Sequence, residues 1–434
     1  MNSSSLRIQS LITIVLITTL ILGGIGSLGL ADEKIRFVHD NPEYQENWLK
    51  IGNLAADTIG VNSEITPFNL SVYKSRVKSD LTTGRAPEIF KWWFGYRARE
   101  LVKAGLVADL SEVWKEAGSH VAEGIQEQLT INGTTYGVPF QSSYWIWFYN
   151  KNVLEKYDLT PPQTWKGFMD QAQFLHEKGV DVIGNTIGES RWTSFIVFQE
   201  LMIRQSYKFY NELTAGKAHW TDEPVVKTVK LWVKMLKKGY FAPMDATYVE
   251  DLPRLFQQNK LAYAPFGTWY SGILMDSGLK PGEDYGITIL PPITPKGKGS
   301  VAVEISPLMV GKNSDVESAK KWLKWWISDK EARTLQYELW DGMPWTNLVS
   351  RDKVAKGHPE FASVMEQIKQ YPHKVIRFWE ATPSDIVEEA NIQFEKILAN
   401  PNKWKGALKA IEKKAAEVWA DYGVDYKAQL ELEN

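Results

Sequence analysis

From Lys34 onward the apolar positions follow two alternating rhythms, short β-branched or aromatic runs and longer stretches at helical spacing. "KIRFVHD" (34–40) predicts a strand. Between Glu43 and Thr58, Trp48, Ile51, Leu54 and Ala55 recur at helical spacing and predict a helix. "SEITPFNL" (63–70) predicts a second strand, "SVYKSRVKSDLTTG" (71–84) a second helix closed by Gly84, and "PEIFKWWF" (87–94) a third strand. A helix from Arg97 to Ala104 follows and stops at Gly105. Strand, helix, strand, helix, strand predicts an α/β fold, a right-handed parallel sheet with helices packed on it. In such sheets ligands collect beyond the carboxyl ends of the strands.

The residues before Lys34 follow neither rhythm. Arg7 is the only charge before Asp32, and Leu11 to Leu22 is an apolar run of signal-peptide length. Small Gly29 and Ala31 flank Leu30, so cleavage is expected after Ala31. The alternative is an uncleaved anchor, because apolar character continues to Leu30 and could span a membrane. Gly24, Gly26 and Gly29 also fit the dinucleotide-binding G-x-G-x-x-G, but a signal core precedes them and a strand follows, the reverse of the required context.

Composition narrows the function classes. The chain has 434 residues, 24% charged and 44% hydrophobic, which suits two or more globular domains. Lys and Arg number 50 against 52 Asp and Glu, with no long basic run, so no nucleic-acid partner is expected. Zero cysteines removes disulfides, thiolate nucleophiles, cysteine zinc sites and a lipid-anchored cysteine. The six histidines include no pair at i, i+4, and no Walker A loop or G-x-S-x-G elbow appears. Neither a metal nor a cofactor is expected. The 19 tryptophans are the unusual count.

Seven segments in order carry a family resemblance: "TGRAPEIF" (83–90), "KAGLVADL" (103–110), "NGTTYGVPF" (132–140), "FYNKNVL" (148–154), "PPQTWKGFMDQAQFL" (161–175), "LKKGYFAP" (236–243) and "LFQQNKLAYAPFGTWYSG" (255–272). Together they resemble the extracellular solute-binding proteins of ABC sugar importers, the maltose-binding-protein-like group. The resemblance runs from about Lys34 to Leu430 and contains no catalytic motif. Departures are Gly84-Arg85-Ala86-Pro87-Glu88 where the family often has Gly-Thr-Ala-Pro-Asp, Gln141 where an acid often follows Pro-Phe, and the missing lipobox cysteine.

The resemblance implies a two-lobe periplasmic-binding-protein fold of type II, each lobe a central mostly parallel sheet flanked by helices, hinged by crossing segments. Residues 32–140 with 302–345 would form lobe one, and 141–301 with 346–434 lobe two. Solute would be gripped in the cleft, and the closed form recognised by the transmembrane permease. "YGVPF" resembles the first crossing, where Pro139 fixes φ and lacks a donor; "SVAVEI" (300–305) resembles the return, and the region near Pro344 the third. A free periplasmic monomer is expected.

On the first crossing, Tyr144, Trp145, Trp147, Phe148 and Tyr149 alternate between strand faces, so one set packs a core while Gln141 to Tyr144 reach solute. A pyranose shows an apolar C–H face and a fringe of hydroxyls, which suits flat rings with polar rims. The family's loop positions offer both: His39, Asp40 and Glu43 after the first strand, Tyr73 after the second, Trp92 and Trp93 after the third. The second lobe adds Trp192, Trp269, Arg377 and Trp379, with Glu304 on the return crossing and Trp340, Asp341 and Trp345 about the third. Trp269, after Gly-Thr at a strand end, matches the family's Gly-Ser-Trp.

Each candidate has a plainer alternative. Arg377 and Glu304 could form an ion pair, Asp40, Glu43 and Asp341 could cap helices, and Trp145 and Trp147 could be core. Trp322, Trp325 and Trp326 lie on a helical pattern that suits core or a permease-facing surface. The expected ligand is a di- or oligosaccharide, or a glycoside with a small aglycone. Arg85, Arg191 and Arg377 would accommodate an acidic one. The rival functions are a secreted glycoside hydrolase and a binder of a non-sugar compatible solute, such as a quaternary amine caged by rings.

Overall fold

The computed structural model describes residues 34–188, 191–340, 345–350, 359–430 and 432, with the side chains of 359–361 excepted. The expected export signal, Asp341 and Pro344 lie outside these residues. β1 (Lys34–His39) pairs in parallel with β2 (Asn62–Pro67) and with β3 (Ile89–Lys91). Helices Gln45–Ile59 and Leu70–Thr82 fill the two connections, burying Trp48, Ile51 and Ala55 on one and Tyr73, Val77 and Leu81 on the other. The third strand is shorter than its apolar run predicts. Its assigned ladder ends at Lys91; the next amide, the Trp92 N–H, donates to the Pro307 carbonyl at 2.9 Å, and Pro307 has no N–H to return.

β4 (Thr130–Ile131) and β5 (Thr134–Thr135) form a small hairpin before the chain crosses on β6 (Val138–Asn150). The second half contributes β7 (Asp181–Ile183), β8 (Leu261–Gly267) and β9 (Tyr285–Thr288), and the chain returns on β10 (Ser300–Met309). β11 (His373–Ile376) comes after the third passage. The main sheet runs β2-β1-β3-β10-β6-β8-β7, with β11 on β10 and β9 on β6. Pairs β7–β8 and β10–β11 are parallel, while β6 and β10 run antiparallel to each other and to their remaining neighbours. Two α/β lobes therefore share two crossing strands.

The crossing is marked by chemistry at one level. Pro139 stands opposite Pro307, and the register shifts between Ser306 and Pro307, so neither strand can donate a ladder bond there. Side chains from the first lobe take up the freed carbonyls. Trp326 Nε1 donates to Pro139 O at 3.1 Å, and Gln336 Nε2 and Trp345 Nε1 donate to Phe140 O at 2.7 and 2.8 Å.

Much of the tryptophan surplus is core. On helix Val316–Ser328, Trp322 and Trp326 are fully buried and stacked at 5.4 Å, against Trp48 and Phe37; Trp325 is also buried. On the second lobe Trp147 packs against Phe168 and Tyr263, and Trp220 against Phe198 and Phe378.

Candidate functional site

The carboxyl ends of β1 and β3 form the first wall. Asp40 follows β1 and Lys91 ends β3; the Lys91 ammonium meets the Asp40 carboxylate at 2.7 Å, both groups buried. Beneath them His39 is fully buried, with Nε2–H directed at Gln45 Oε1 (3.0 Å) and Nδ1 accepting from the Asn41 N–H (3.4 Å), the tautomer that satisfies both bonds. Burial lowers its pKa to about 4, so it stays neutral. The Tyr73 hydroxyl lies against the carbonyls of Val38 and Lys91 and ties the two strand ends together. Trp92 Nε1 donates to Arg97 O at 3.3 Å, which leaves Trp93 as the ring of this loop turned to the opposite lobe, 6.1 Å from Trp379.

The middle of the site is an ionic knot on the return strand. Arg377 Nη1 lies 2.9 Å from Glu304 Oε2, and Arg377 also grips Glu380, its Nε donating at 2.8 Å. Trp145 Nε1 donates to Glu304 at 3.2 Å, Ser306 Oγ at 3.1 Å, and the Arg377 guanidinium lies 5.2 Å over the Trp145 ring. Burial pushes Glu380 up to about 7, against the opposing pull of Arg377.

The second wall is aromatic. Trp269, after the end of β8, folds its indole back over Gly267, where a side-chain Cβ would come within 2.3 Å of Trp269 Nε1. Trp192 lies 6.1 Å from Trp269, and Tyr248 is 5.5 Å from Trp192; all three rings are half-buried. Rings then run without a break to the first wall: Trp269 to Trp145 at 6.4 Å, Trp145 to Phe195 at 6.0 Å, Phe195 to Trp379 at 6.2 Å, and Trp379 to Trp93.

The lobes also touch directly. Arg97 and Lys74, from two first-lobe helices, meet Glu388 on helix Ser384–Ala399 at 3.2 and 2.7 Å. The same cations lie 4.2 Å (Arg97) and 5.0 Å (Lys74) from the centre of the Trp379 ring. Gly95, at φ +68°, backs onto the Glu380 carbonyl so closely that a Cβ would stand 2.2 Å from that oxygen.

Of the residues expected to line a site, the structure gathers Asp40, Trp93, Trp192, Trp269, Glu304, Arg377 and Trp379 along this arc. It takes others off it. His39, Tyr73 and Trp92 lie beneath the first wall with their polar atoms committed to protein partners. Trp345 is buried under β6, bonded to Phe140 O, with the Arg333 guanidinium 4.8 Å from its ring. Trp340 packs on Trp48 at 4.8 Å. Tyr144 points to the opposite strand face from Trp145, its ring 5.6 Å from the Lys374 ammonium. Gln141 sits half-buried opposite Ser306. Glu43 is exposed and accepts from Asn41 Nδ2 at 3.1 Å, so it caps no helix. Asp341 is outside the described residues.

Sequence reasoning missed Lys74, Lys91, Arg97, Phe195, Tyr248, Glu380 and Glu388. The only local signals were Lys91 inside an apolar strand and Glu380 three residues after Arg377. Among the described residues no group of three or more His, Asp or Glu could hold a metal ion.

Known proteins share this architecture. A solved bacterial solute receptor, AcbH, described as having an exclusive preference for β-D-galactopyranose, superposes with a TM-score of 0.79 at 16% identity, covering 90% of this chain and 100% of the receptor. An uncharacterised ABC transporter extracellular-binding protein of Pyrococcus horikoshii is 25% identical over 258 residues, 58% of this chain and 56% of the relative. The maltodextrin-binding protein MdxE of Bacillus subtilis is 26% identical over 261 residues, 56% of this chain and 57% of the relative. The matched stretches thus span little more than half the length of these curated relatives. The sequence pattern of the bacterial extracellular solute-binding protein family matches residues 65–333, well over half of the chain, and with the two-lobe fold this establishes that the protein belongs to that family.

Proposed function

We propose that the protein is the substrate-binding component of an ABC importer and captures a di- or oligosaccharide, or a glycoside, between its lobes. The observation that carries this reading is the aromatic arc from Trp269 to Trp93, rimmed by Asp40, Glu304 and Arg377. Flat rings cover pyranose C–H faces, and ionised groups that can each hold two hydroxyls fix the sugar's orientation. A maltodextrin-binding relative and a fold neighbour with a galactopyranose preference support the sugar class.

The wall residues of this reading are Asp40, Trp93, Trp192, Trp269, Glu304, Arg377 and Trp379. The lobes divide at residues 140/141, 301/302 and 345/346, close to the Pro139–Pro307 level where the crossing strands lose their ladder. Solute bridging the walls shifts an open-to-closed equilibrium as far as it binds the closed form better, and the closed form meets the permease. The mature protein works as a periplasmic monomer released after Ala31.

The test is a titration of residues 32–434 with mono-, di- and oligosaccharides, followed by tryptophan fluorescence and a search for new products. Saturable change with the sugar recovered intact supports the reading. Product formation would favour a hydrolase, and silence across the panel a non-sugar solute.

A further inference from the structure

The charge of the ligand can be read from the walls. Among the described residues, the cations facing the arc are Lys91, Arg377, Arg97 and Lys74, and each already has a carboxylate. Lys91 holds Asp40, Arg377 holds Glu304 and Glu380, and Arg97 and Lys74 share Glu388. Four cations thus face four carboxylates. The other arginines that could have served an acidic sugar are paired too, Arg191 with Glu395 at 2.8 Å and Arg85 with Asp80 at 3.8 Å.

Off the arc, Arg204 and Arg333 are buried and Lys374 is exposed, and Arg204 faces Glu200 at 3.8 Å. Lys374 donates to the Ile368 carbonyl behind Tyr144, and Arg333 is stacked 3.4 Å from the Trp326 ring beneath β6. A ligand carboxylate entering the closed cleft would therefore lose its water without gaining a free counter-charge. It would also stand beside carboxylates already in place.

Resting on the sugar reading above, we infer that the cleft takes an uncharged saccharide and rejects uronides, and that Glu388 is the residue that sets this choice. Its carboxylate, only partly buried, occupies the position between two first-lobe cations that a ligand acid would otherwise take. The Arg97 guanidinium, almost wholly buried between Glu388 and the Trp379 ring, is then a neutral clamp rather than an anion receptor. Removing the charge at 388 while keeping its shape frees both cations toward the cleft.

The experiment is calorimetric titration of the wild type, Glu388→Gln and the double variant Glu388→Gln/Lys74→Gln. Neutral di- and trisaccharides of glucose, galactose and xylose are set against di- and trigalacturonate at low and high salt. The wild type should bind a neutral member at least a hundredfold more tightly than any uronide. Glu388→Gln should gain at least tenfold in uronide affinity, in a salt-sensitive way, and the double variant should lose that gain. A wild type that prefers a uronide, or a Glu388→Gln protein that binds its neutral sugar yet gains nothing for uronides, overturns the inference and leaves the sugar reading standing. No binding by the wild type to either class overturns both.

Discussion

At the carboxyl ends of β1 and β3 the polar groups are bonded to one another or to backbone: His39 to Gln45, Asp40 to Lys91, Tyr73 to two carbonyls, Trp92 to Arg97 O. Past the end of β8 and in the turn Arg191–Phe195, the rings of Trp269 and Trp192 stand partly open. Both walls grow from strand ends rich in rings, yet one is a preformed polar floor and the other an aromatic face with surface to offer. A preformed floor loses little freedom on binding, and open rings supply contact area at few rotatable bonds. The same kind of substitution should thus read out differently on the two sides.

The sharpest test pairs two tryptophans. Trp92→Ala removes a fully buried ring that packs on Phe90 and Tyr73, and should cost about 3–5 kcal/mol of stability in a urea melt. The folded fraction should keep its sugar affinity. Trp269→Ala should do the reverse, leaving the melt nearly unchanged and weakening binding at least tenfold. If the two variants behave alike, the contrast between the walls is wrong.

The contrast extends to protons. His39, beneath the first wall, is depressed by burial from the ordinary 6.5 of a histidine to about 4. Below pH 6.5 the unfolded chain takes up a proton that the folded one refuses, so this group removes stability as pH falls toward 4, by about 3 kcal/mol in all. Glu380, in the ionic knot, is raised from 4.5 to about 7, so the folded chain binds the proton more tightly and stability is lost as pH rises through that interval. Between pH 4.5 and 6.5 the two slopes oppose. Urea melts across this range should be flatter for the wild type than for either variant: Glu380→Gln should lose stability toward acid, and His39→Gln should gain it. Parallel curves for all three proteins would remove both assignments.

What the sequence disclosed and what it hid follow from distance along the chain. The order from β1 to β3 was readable because each element is set by local periodicity and by breakers such as Gly60 and Gly84. Trp269 was readable as a strand-end residue. The alternation along β6 separated Tyr144 from Trp145 but gave no sign of which face met the cleft; that depends on Glu304, 159 residues from Trp145. Lys74, Arg97 and Glu388 were invisible for the same reason, since their pairs span 314 and 291 residues. Surface lysines and glutamates on amphipathic helices look alike until the lobes bring them together.

Gly95 measures how far the meeting of the walls matters. Gly95→Ala would put a Cβ within 2.2 Å of the Glu380 carbonyl, an atom that cannot swing away as a side-chain tip can. The positive φ of +68° adds roughly 1 kcal/mol of local strain, too little to unfold a domain. The expected result is a tenfold loss of affinity, with a larger radius of gyration in the presence of sugar. Unchanged affinity and size would mean that the bound form does not use this contact.

The smallest effect is expected from Tyr144→Phe. Tyr144 and Trp145 are adjacent on β6 and point to opposite faces, Trp145 toward Glu304 and Arg377, Tyr144 toward Lys374. Phenylalanine keeps the ring beneath the Lys374 ammonium and removes only the hydroxyl, which sits on the side away from the arc. A cation over a partly exposed ring contributes about 0.5–1 kcal/mol, and this substitution retains most of it. Affinity should stay within about twofold, less than RT ln 10 by a wide margin. A loss comparable to that of Trp269→Ala would mean that solute reaches the Tyr144 face of the crossing strand, and the boundary of the aromatic wall would have to be redrawn around β11.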